Sequence, residues 1–159
     1  MTRIRFATSA DVPQILGFVR ELAEFEREPD AVLATEPMLE AALFGPRPAA
    51  EAVIAEDAGG AALGFALFFQ NFSTWTGRPG LYLEDLYVTP AARGAGVGKA
   101  LLRHLAGIAV DRGYGRFEWS VLDWNQPAID FYRAMGAVGM EEWTVQRVTG
   151  AALRALAGR

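Results

Sequence analysis

The chain has 159 residues, of which 52% are hydrophobic and 21% charged, and its formal net charge is −4. This length predicts one domain, and the acidic balance argues against a nucleic-acid-binding protein. The chain has no cysteine and a single histidine, His104, which excludes disulfides, cysteine nucleophiles and histidine-based metal clusters. No apolar run has the length of a signal peptide or membrane span, so we expect a cytoplasmic protein without metal.

Apolar spacing and turn residues divide the chain into helices and strands. Apolar residues three and four positions apart predict helices, and short β-branched and aromatic runs predict strands. Thr8 with Asp11, and Thr35, stand where helices begin. The order predicts an α/β (α+β) fold with helices on the faces of a sheet. The expected elements are a strand at 3–7, helices at 12–23 and 35–43, strands at 51–56, 62–72 and 81–88, a helix at 98–110, a strand at 117–122, a helix at 126–135, a last strand or strands within 138–148, and a helical turn at 151–156.

The stretch RGAGVGKALL, residues 93–102, joins a predicted strand to a predicted helix. Its three glycines have no Cβ, so a ligand can approach the main chain closely. The free N–H groups of a helix N-terminus attract an anion at this point. It is not a Walker P-loop, because Ala100 follows Gly98-Lys99 where Ser or Thr is needed. It is not a dinucleotide fingerprint either, since Lys99 replaces the third glycine. We predict an anion-binding turn, with a glycine-rich turn that binds nothing as the alternative.

This turn resembles the pyrophosphate loop of the GNAT acetyltransferase superfamily, which has Gln or Arg, two variable residues, Gly, one variable residue, and Gly or Ala. The segments ELAEFE (21–26), YLEDLYV (82–88) and WNQPAIDFY (124–132) occur in order at fitting distances. Together they resemble the diamine and polyamine N-acetyltransferase branch, including thialysine-acetylating enzymes, over roughly residues 3–148.

The resemblance implies a single-domain GNAT fold, with a mixed, mostly antiparallel central sheet flanked by helices and a splayed strand pair at the CoA site. It implies that acetyl-CoA donates an acetyl group to a primary amine, preferably of a polyamine, a diamine or a lysine-like small molecule. It also implies a homodimer. The alternatives are a GNAT enzyme acting on a peptide, protein or aminoglycoside amine, and a non-catalytic acyl-CoA-binding module.

The resemblance also assigns the CoA contacts. The pyrophosphate is expected on residues 94–99, and the pantetheine arm on the main chain of residues 86–88, where an N–H group polarises the thioester carbonyl. Two residues of the NQPA segment match family positions on the other side of the arm, although Asn125 also suits a helix N-cap. The expected cofactor-binding residues are Leu86, Tyr87, Val88, Arg93, Gly94, Ala95, Gly96, Val97, Gly98, Lys99, Asn125 and Ala128.

Two side chains match the family's proton-transfer groups. An alkyl ammonium has a pKa of about 10 and must lose a proton before it attacks. Glu84, in an otherwise apolar strand, is predicted to be the base, acting directly or through water, and adjacent Asp85 should face the opposite side of the strand. Tyr132 matches the general acid that protonates the CoA sulfur. The alternative for Glu84 and Asp85 is a pair of charges that keeps an edge strand soluble. Without the resemblance, Tyr132 is more typical of a core aromatic with a bonded hydroxyl.

The substrate side is predicted from three further matches, Phe25, Glu26 and Glu142, which join Glu84 as substrate-binding residues. The branch often has Tyr where this chain has Phe25, so one hydroxyl contact of that branch is absent. The acidic run at 24–30 suits a multivalent cation by Coulomb attraction, and it suits a solvated helix end equally well. His104 is expected on the surface of its helix.

Overall fold

The computed structural model describes residues 1–159 and contains five strands and five α-helices. The helix Val12–Phe25 follows a capping box in which Thr8 and Asp11 bond reciprocally, and the Thr35 hydroxyl accepts the Met38 N–H at the start of the helix Glu36–Phe44. The elements are β1 (Arg3–Phe6), α1 (Val12–Phe25), α2 (Glu36–Phe44), β2 (Glu51–Glu56), β3 (Ala62–Ser73), β4 (Arg78–Val88), α3 (Val97–Asp111), β5 (Phe117–Trp119), α4 (Gln126–Ala134) and α5 (Gly150–Leu156).

The five strands form one sheet in the order β1-β2-β3-β4-β5. The first four strands pair antiparallel, and short turns join β2 to β3 and β3 to β4. Strand β5 pairs parallel to β4, as expected for a strand that returns through a crossover helix, here α3. The predicted architecture, a mixed and mostly antiparallel sheet with helices on its faces, is therefore confirmed.

The core lies on both faces of this sheet. On one face, Phe18 of α1 is 1% exposed and its ring centroid lies 5.6 Å from those of Phe65 and Tyr87. Helix α3 lies against β3 and β4, and its fully buried Leu101 and Leu105 are not members of that cluster. Helix α3 therefore covers the opposite face.

Two compact units divide the chain, Met1–Leu122 and Asp123–Arg159. The first unit holds the whole sheet with α1, α2 and α3, and the second holds α4, α5 and the segment between them. None of the helices combines the length and apolarity that a membrane span requires. The single domain expected from the chain length stays a prediction.

The prediction of a last strand or strands within residues 138–148 is wrong, because the segment between α4 and α5 contains no strand. Val138 and Met140, at the start of this segment, are both exposed. A strand forms only where another strand hydrogen-bonds its N–H and C=O groups. The sheet ends at β5, so this segment has no partner strand. Strand β5 is also shorter than expected and stops at Trp119.

Candidate active site

Strands β4 and β5 separate part of the way along β4. Only three residues of β4 pair with β5, and the last of these pairs is Leu83 with Trp119. Strand β4 continues to Val88 while it pairs with β3. On the side away from β3, residues 84–88 therefore have no neighbouring strand. This is the splayed strand pair that the resemblance implied.

The main-chain groups on the open side of β4 follow from the antiparallel ladder. Thr89 donates its N–H to the Leu63 carbonyl, so its alternate neighbour Tyr87 also points its main chain toward β3. Leu86 and Val88 then point their N–H and C=O groups into the open side. Of the three residues expected to bind the pantetheine arm, these two have main-chain groups that pair with no strand, whereas the Tyr87 side chain lies in the core.

A β-bulge interrupts β4 at Glu84. Leu83 pairs with Phe68 and Asp85 pairs with Leu67, so one step on β3 corresponds to two steps on β4 and Glu84 is the extra residue. Such bulges change the direction in which side chains point, and they are frequent beside active sites.

The bulge corrects the expectation that Glu84 and Asp85 face opposite sides. Residues paired across a sheet share a face, and Phe68 and Leu67 are adjacent, so Leu83 and Asp85 lie on opposite faces. Glu84 lies between them at the bulge, and its charge acts both on Asp85 and on Glu26 at the end of α1. Glu84 and Asp85 therefore both lie on the face covered by α1. Asp85 was not predicted to be a site residue, because regular strand alternation was assumed and the sequence pattern does not reveal a bulge.

A third carboxylate, Glu26, joins these two from the end of α1. Burial first, and then the charges of Glu84 and Glu26, raise the pKa of Asp85 to about 6. Burial and the charge of Glu84 likewise raise the pKa of Glu26. We call Glu26, Glu84 and Asp85 the acidic group. Their mutual repulsion means that the group favours a bound cation or a shared proton.

The glycine turn precedes α3, as the sequence predicted. Gly94 and Gly96 adopt left-handed backbone angles, with φ of 80° and 82°, and a Cβ built on either one meets no atom within 4 Å. Gly96 is the N-cap of α3, so the N–H groups of the first turn, from Val97 to Lys99, have no partner within the helix. This exposed turn, with Lys99 beside it, has the chemistry to bind a pyrophosphate.

Arg93 links this turn to the end of α1. Its Nε donates a 3.1 Å hydrogen bond to the Val88 carbonyl, and its guanidinium carbon lies 5.4 Å from the centre of the Phe25 ring and 5.7 Å from that of Tyr87. Phe25, predicted to contact the substrate amine, therefore also borders the predicted CoA turn. The sequence gave no signal of this contact.

The remaining predicted residues belong to the second unit. Asn125 is the N-cap of α4, where its Oδ1 accepts the Ala128 N–H at 3.4 Å, as the alternative interpretation of Asn125 predicted. Tyr132 lies on α4, half-buried, with its ring centroid 5.5 Å from that of Phe131. Glu142 is exposed on the segment that follows α4.

His104 is half-buried rather than on the surface. Its ring meets the edge of Phe6 at 6.4 Å between centroids, and its buried Nε2 has no hydrogen-bond partner. No group of three or more His, Cys, Asp or Glu side chains is arranged to hold a metal ion.

Known proteins are similar to this chain over nearly its whole length. The thialysine N-epsilon-acetyltransferase of Sus scrofa is 40% identical, with 98% of this chain and 97% of that protein covered. The L-ornithine N5-acetyltransferase of Arabidopsis thaliana is 33% identical, with 98% and 87% covered. An integron cassette protein from the mobile metagenome of V. cholerae superposes with a TM-score of 0.82 at 28% identity, over 99% of this chain and 98% of that one.

A family model agrees with these relatives. The model described as the acetyltransferase (GNAT) family matches residues 17–137, which include the acidic group, the glycine turn and Tyr132. Members of this family are transferases that use acetyl-CoA as cosubstrate. The predicted resemblance is confirmed, and the chain belongs to the GNAT acetyltransferase family.

Proposed function

We propose that this enzyme transfers the acetyl group of acetyl-CoA to the primary amine of a small cationic molecule, such as a polyamine, a diamine or a lysine-like compound. The observation that carries the proposal is the acidic group, which lies where β4 opens away from β5. Several carboxylates that repel one another favour a ligand with positive charge. The relatives named for thialysine and ornithine support an acceptor that carries its amine on a short aliphatic chain.

CoA is proposed to lie along the open side of β4. The main chain of Leu86 and Val88 offers hydrogen bonds to the pantetheine arm, and residues 94–99 receive the pyrophosphate at the N-terminus of α3. Asn125 and Ala128 are proposed to line the arm from the second unit. Arg93 already bonds the Val88 carbonyl, so bound pantetheine competes with that hydrogen bond.

The reaction needs groups that hold the ammonium, remove its proton, stabilise the carbonyl oxygen and protonate the leaving sulfur. Glu26 and Glu84, with Glu142 as a further candidate, are proposed to hold the ammonium, and a carboxylate of the acidic group removes its proton. The free amine attacks the thioester carbonyl carbon, whose oxygen is stabilised by a main-chain N–H on the open side of β4. As the carbon–nitrogen bond forms and the carbon–sulfur bond breaks, Tyr132 donates a proton to the leaving CoA sulfur.

Both compact units are proposed to form one catalytic domain. The family match runs from residue 17 to residue 137 and crosses the boundary after Leu122. Helix α4, which carries Tyr132, lies beyond that boundary. We also propose a homodimer, supported by the many large apolar side chains exposed on the second unit.

The experiment that tests the function measures thiol release from acetyl-CoA with spermidine, putrescine, thialysine, lysine, an aminoglycoside and a short peptide. Rapid release with one of the small cationic amines supports the proposal. Release with only the peptide or the aminoglycoside contradicts the proposed substrate class. Binding of CoA by calorimetry with no release for any amine indicates a non-catalytic acyl-CoA-binding module.

A further inference from the structure

We propose that Asp85, and not Glu84, accepts the proton of the substrate ammonium, while Glu84 and Glu26 hold the ammonium in place. This inference rests on the proposed function and assigns the roles within the same site. It starts from the bulge, which brings both β4 carboxylates to the face covered by α1. On a regular strand only one of the two would reach this face.

The two carboxylates differ in how firmly the sheet holds them. Asp85 pairs with Leu67 on β3, so its main chain is fixed in the ladder. Glu84 is the extra residue of the bulge, has no partner on β3 and is exposed, whereas Asp85 is half-buried. A proton acceptor needs a fixed position toward the reacting amine, and an exposed, longer side chain is better suited to attract and hold a cation.

The charges around Asp85 also suit a base. The groups on this face are Glu84 on the same strand, Glu26 at the end of α1, and Glu21 and Arg93 beside Tyr87. Burial and the two nearby carboxylates raise the pKa of Asp85 to about 6, so at neutral pH it is mostly ionised yet more basic than an ordinary aspartate. A base is most effective when its pKa is near the working pH.

The proposed step balances without a further reactant. One proton passes from the ammonium nitrogen to an Asp85 carboxylate oxygen, directly or through water, and the freed lone pair forms the bond to the acetyl carbon. The carbon–sulfur bond breaks, and the sulfur takes the Tyr132 proton. The nitrogen of the new bond then loses its second proton, which replaces the one that Tyr132 gave, and Asp85 gives its proton to solvent. The products are the N-acetyl amine, CoA with a free thiol, and one proton in solution.

The test is the pH dependence of kcat and kcat/KM for the wild type, Asp85→Asn and Glu84→Gln, with the best amine of the panel. We expect Asp85→Asn to lower kcat on the order of 10²- to 10⁴-fold, the usual size of a general-base contribution. We expect Glu84→Gln to act mainly by raising KM. Glu84→Gln should also move the acid limb of kcat/KM to lower pH, because loss of the neighbouring negative charge lowers the pKa of Asp85.

Two further variants separate chemistry from folding. Asp85→Glu keeps a carboxylate and should recover part of the lost kcat, which a merely structural role would not predict. Asp111→Asn removes an exposed carboxylate at the end of α3 and should leave both rates unchanged. Calorimetry with CoA and circular dichroism check that each variant is folded and binds the cosubstrate.

The outcomes are distinct. If Glu84→Gln loses kcat and Asp85→Asn only shifts the acid limb, Glu84 is the base and the inference is overturned while the proposed function stands. If Asp85→Asn keeps both kcat and the acid limb, the inference is also overturned. If the wild type acetylates none of the amines, the proposed function is wrong and the inference falls with it.

Discussion

The backbone of Gly96 makes a specific demand on its residue type. With φ at 82°, an alanine there is strained by roughly 1–2 kcal/mol, although its Cβ meets no neighbouring atom. The added methyl group also stands where the pyrophosphate is proposed to approach. We expect Gly96→Ala to lower the free energy of unfolding slightly and to weaken CoA binding about tenfold or more, a change of about 1.4 kcal/mol or more by calorimetry.

Gly60, in the turn between β2 and β3, provides the matched control. Its φ is 85° and its Cβ position is equally open, but it is remote in sequence from the glycine turn. Gly60→Ala should cost similar stability in urea unfolding and leave CoA affinity unchanged. Equal losses of CoA affinity in both variants would mean that the effect comes from strain and not from a contact with CoA.

The proposed role of Tyr132 rests on a single hydroxyl group. Tyr132→Phe removes only the hydroxyl that is proposed to protonate the CoA sulfur, and the half-buried ring stays beside Phe131. Turnover should fall on the order of 10²-fold or more, while CoA still binds by calorimetry. Thiol release measured alongside CoA binding checks this. Unchanged turnover would remove Tyr132 as the general acid.

Among the elements, β1 and β2 are joined by an ion-pair network. Glu56 is 4% exposed and bonds Arg3 and Arg5, and Arg5 also bonds Asp11 at the start of α1. The hydrogen bonds from Arg5 lower the pKa of Asp11 to about 2, and those from Arg3 and then Arg5 lower the pKa of Glu56. The folded protein is therefore stabilised by the ionised forms.

This network predicts acid sensitivity. Because the folded pKa of Asp11 lies below its unfolded value of about 4, its contribution is complete above that pH and is lost as the pH falls toward 2. We expect the urea midpoint of the wild type to fall in this range. Asp11→Asn should lower the midpoint at pH 7 and flatten its decline at acid pH. Curves that stay parallel from pH 6 to pH 2 would contradict the assignment.

The packing of α1 on the sheet predicts the largest loss of stability. Phe18 is 1% exposed and lies against Phe65 and Tyr87, so Phe18→Ala leaves a cavity in the core. We expect a decrease of about 3–5 kcal/mol in the free energy of unfolding. Phe72→Ala, at a position that is 63% exposed on β3, is the control and should cost under about 1 kcal/mol. Similar losses for both would show that Phe18 is not a core residue.

Large apolar side chains are exposed on the second unit. The proposed homodimer would cover them, since exposed apolar patches mark interaction surfaces. The exposed large apolar residues of this unit are Trp124, Val138, Met140, Trp143, Val145, Val148, Leu153 and Leu156.

Sedimentation measures this assembly directly. We expect a dimer for the wild type and a shift toward monomer when Val138 and Val145, 83% and 76% exposed, are both changed to Ser. Leu33→Ser, at a position that is 82% exposed on the first unit, should leave the dimer intact. A wild type that sediments as a monomer at micromolar concentration would contradict the homodimer.

Local interactions made most elements predictable from the sequence. Strand β2 has the predicted bounds, and the caps at Thr35 and Asn125 form as expected. The glycine turn before α3 was also predictable, because a left-handed backbone at a helix start depends on residues close in sequence. The residue types that the resemblance assigned to CoA and amine binding were likewise visible as short motifs.

Strand pairing decided the rest of the site. The bulge that brings Asp85 beside Glu84, the point where β4 separates from β5, and the absence of a strand after α4 all depend on register with another segment. Register is set by packing between distant parts of the chain, and a shift by one residue reverses the face of every side chain that follows. The sequence by itself therefore determined the elements and the family motifs, whereas only the tertiary structure decided which carboxylates share the face covered by α1.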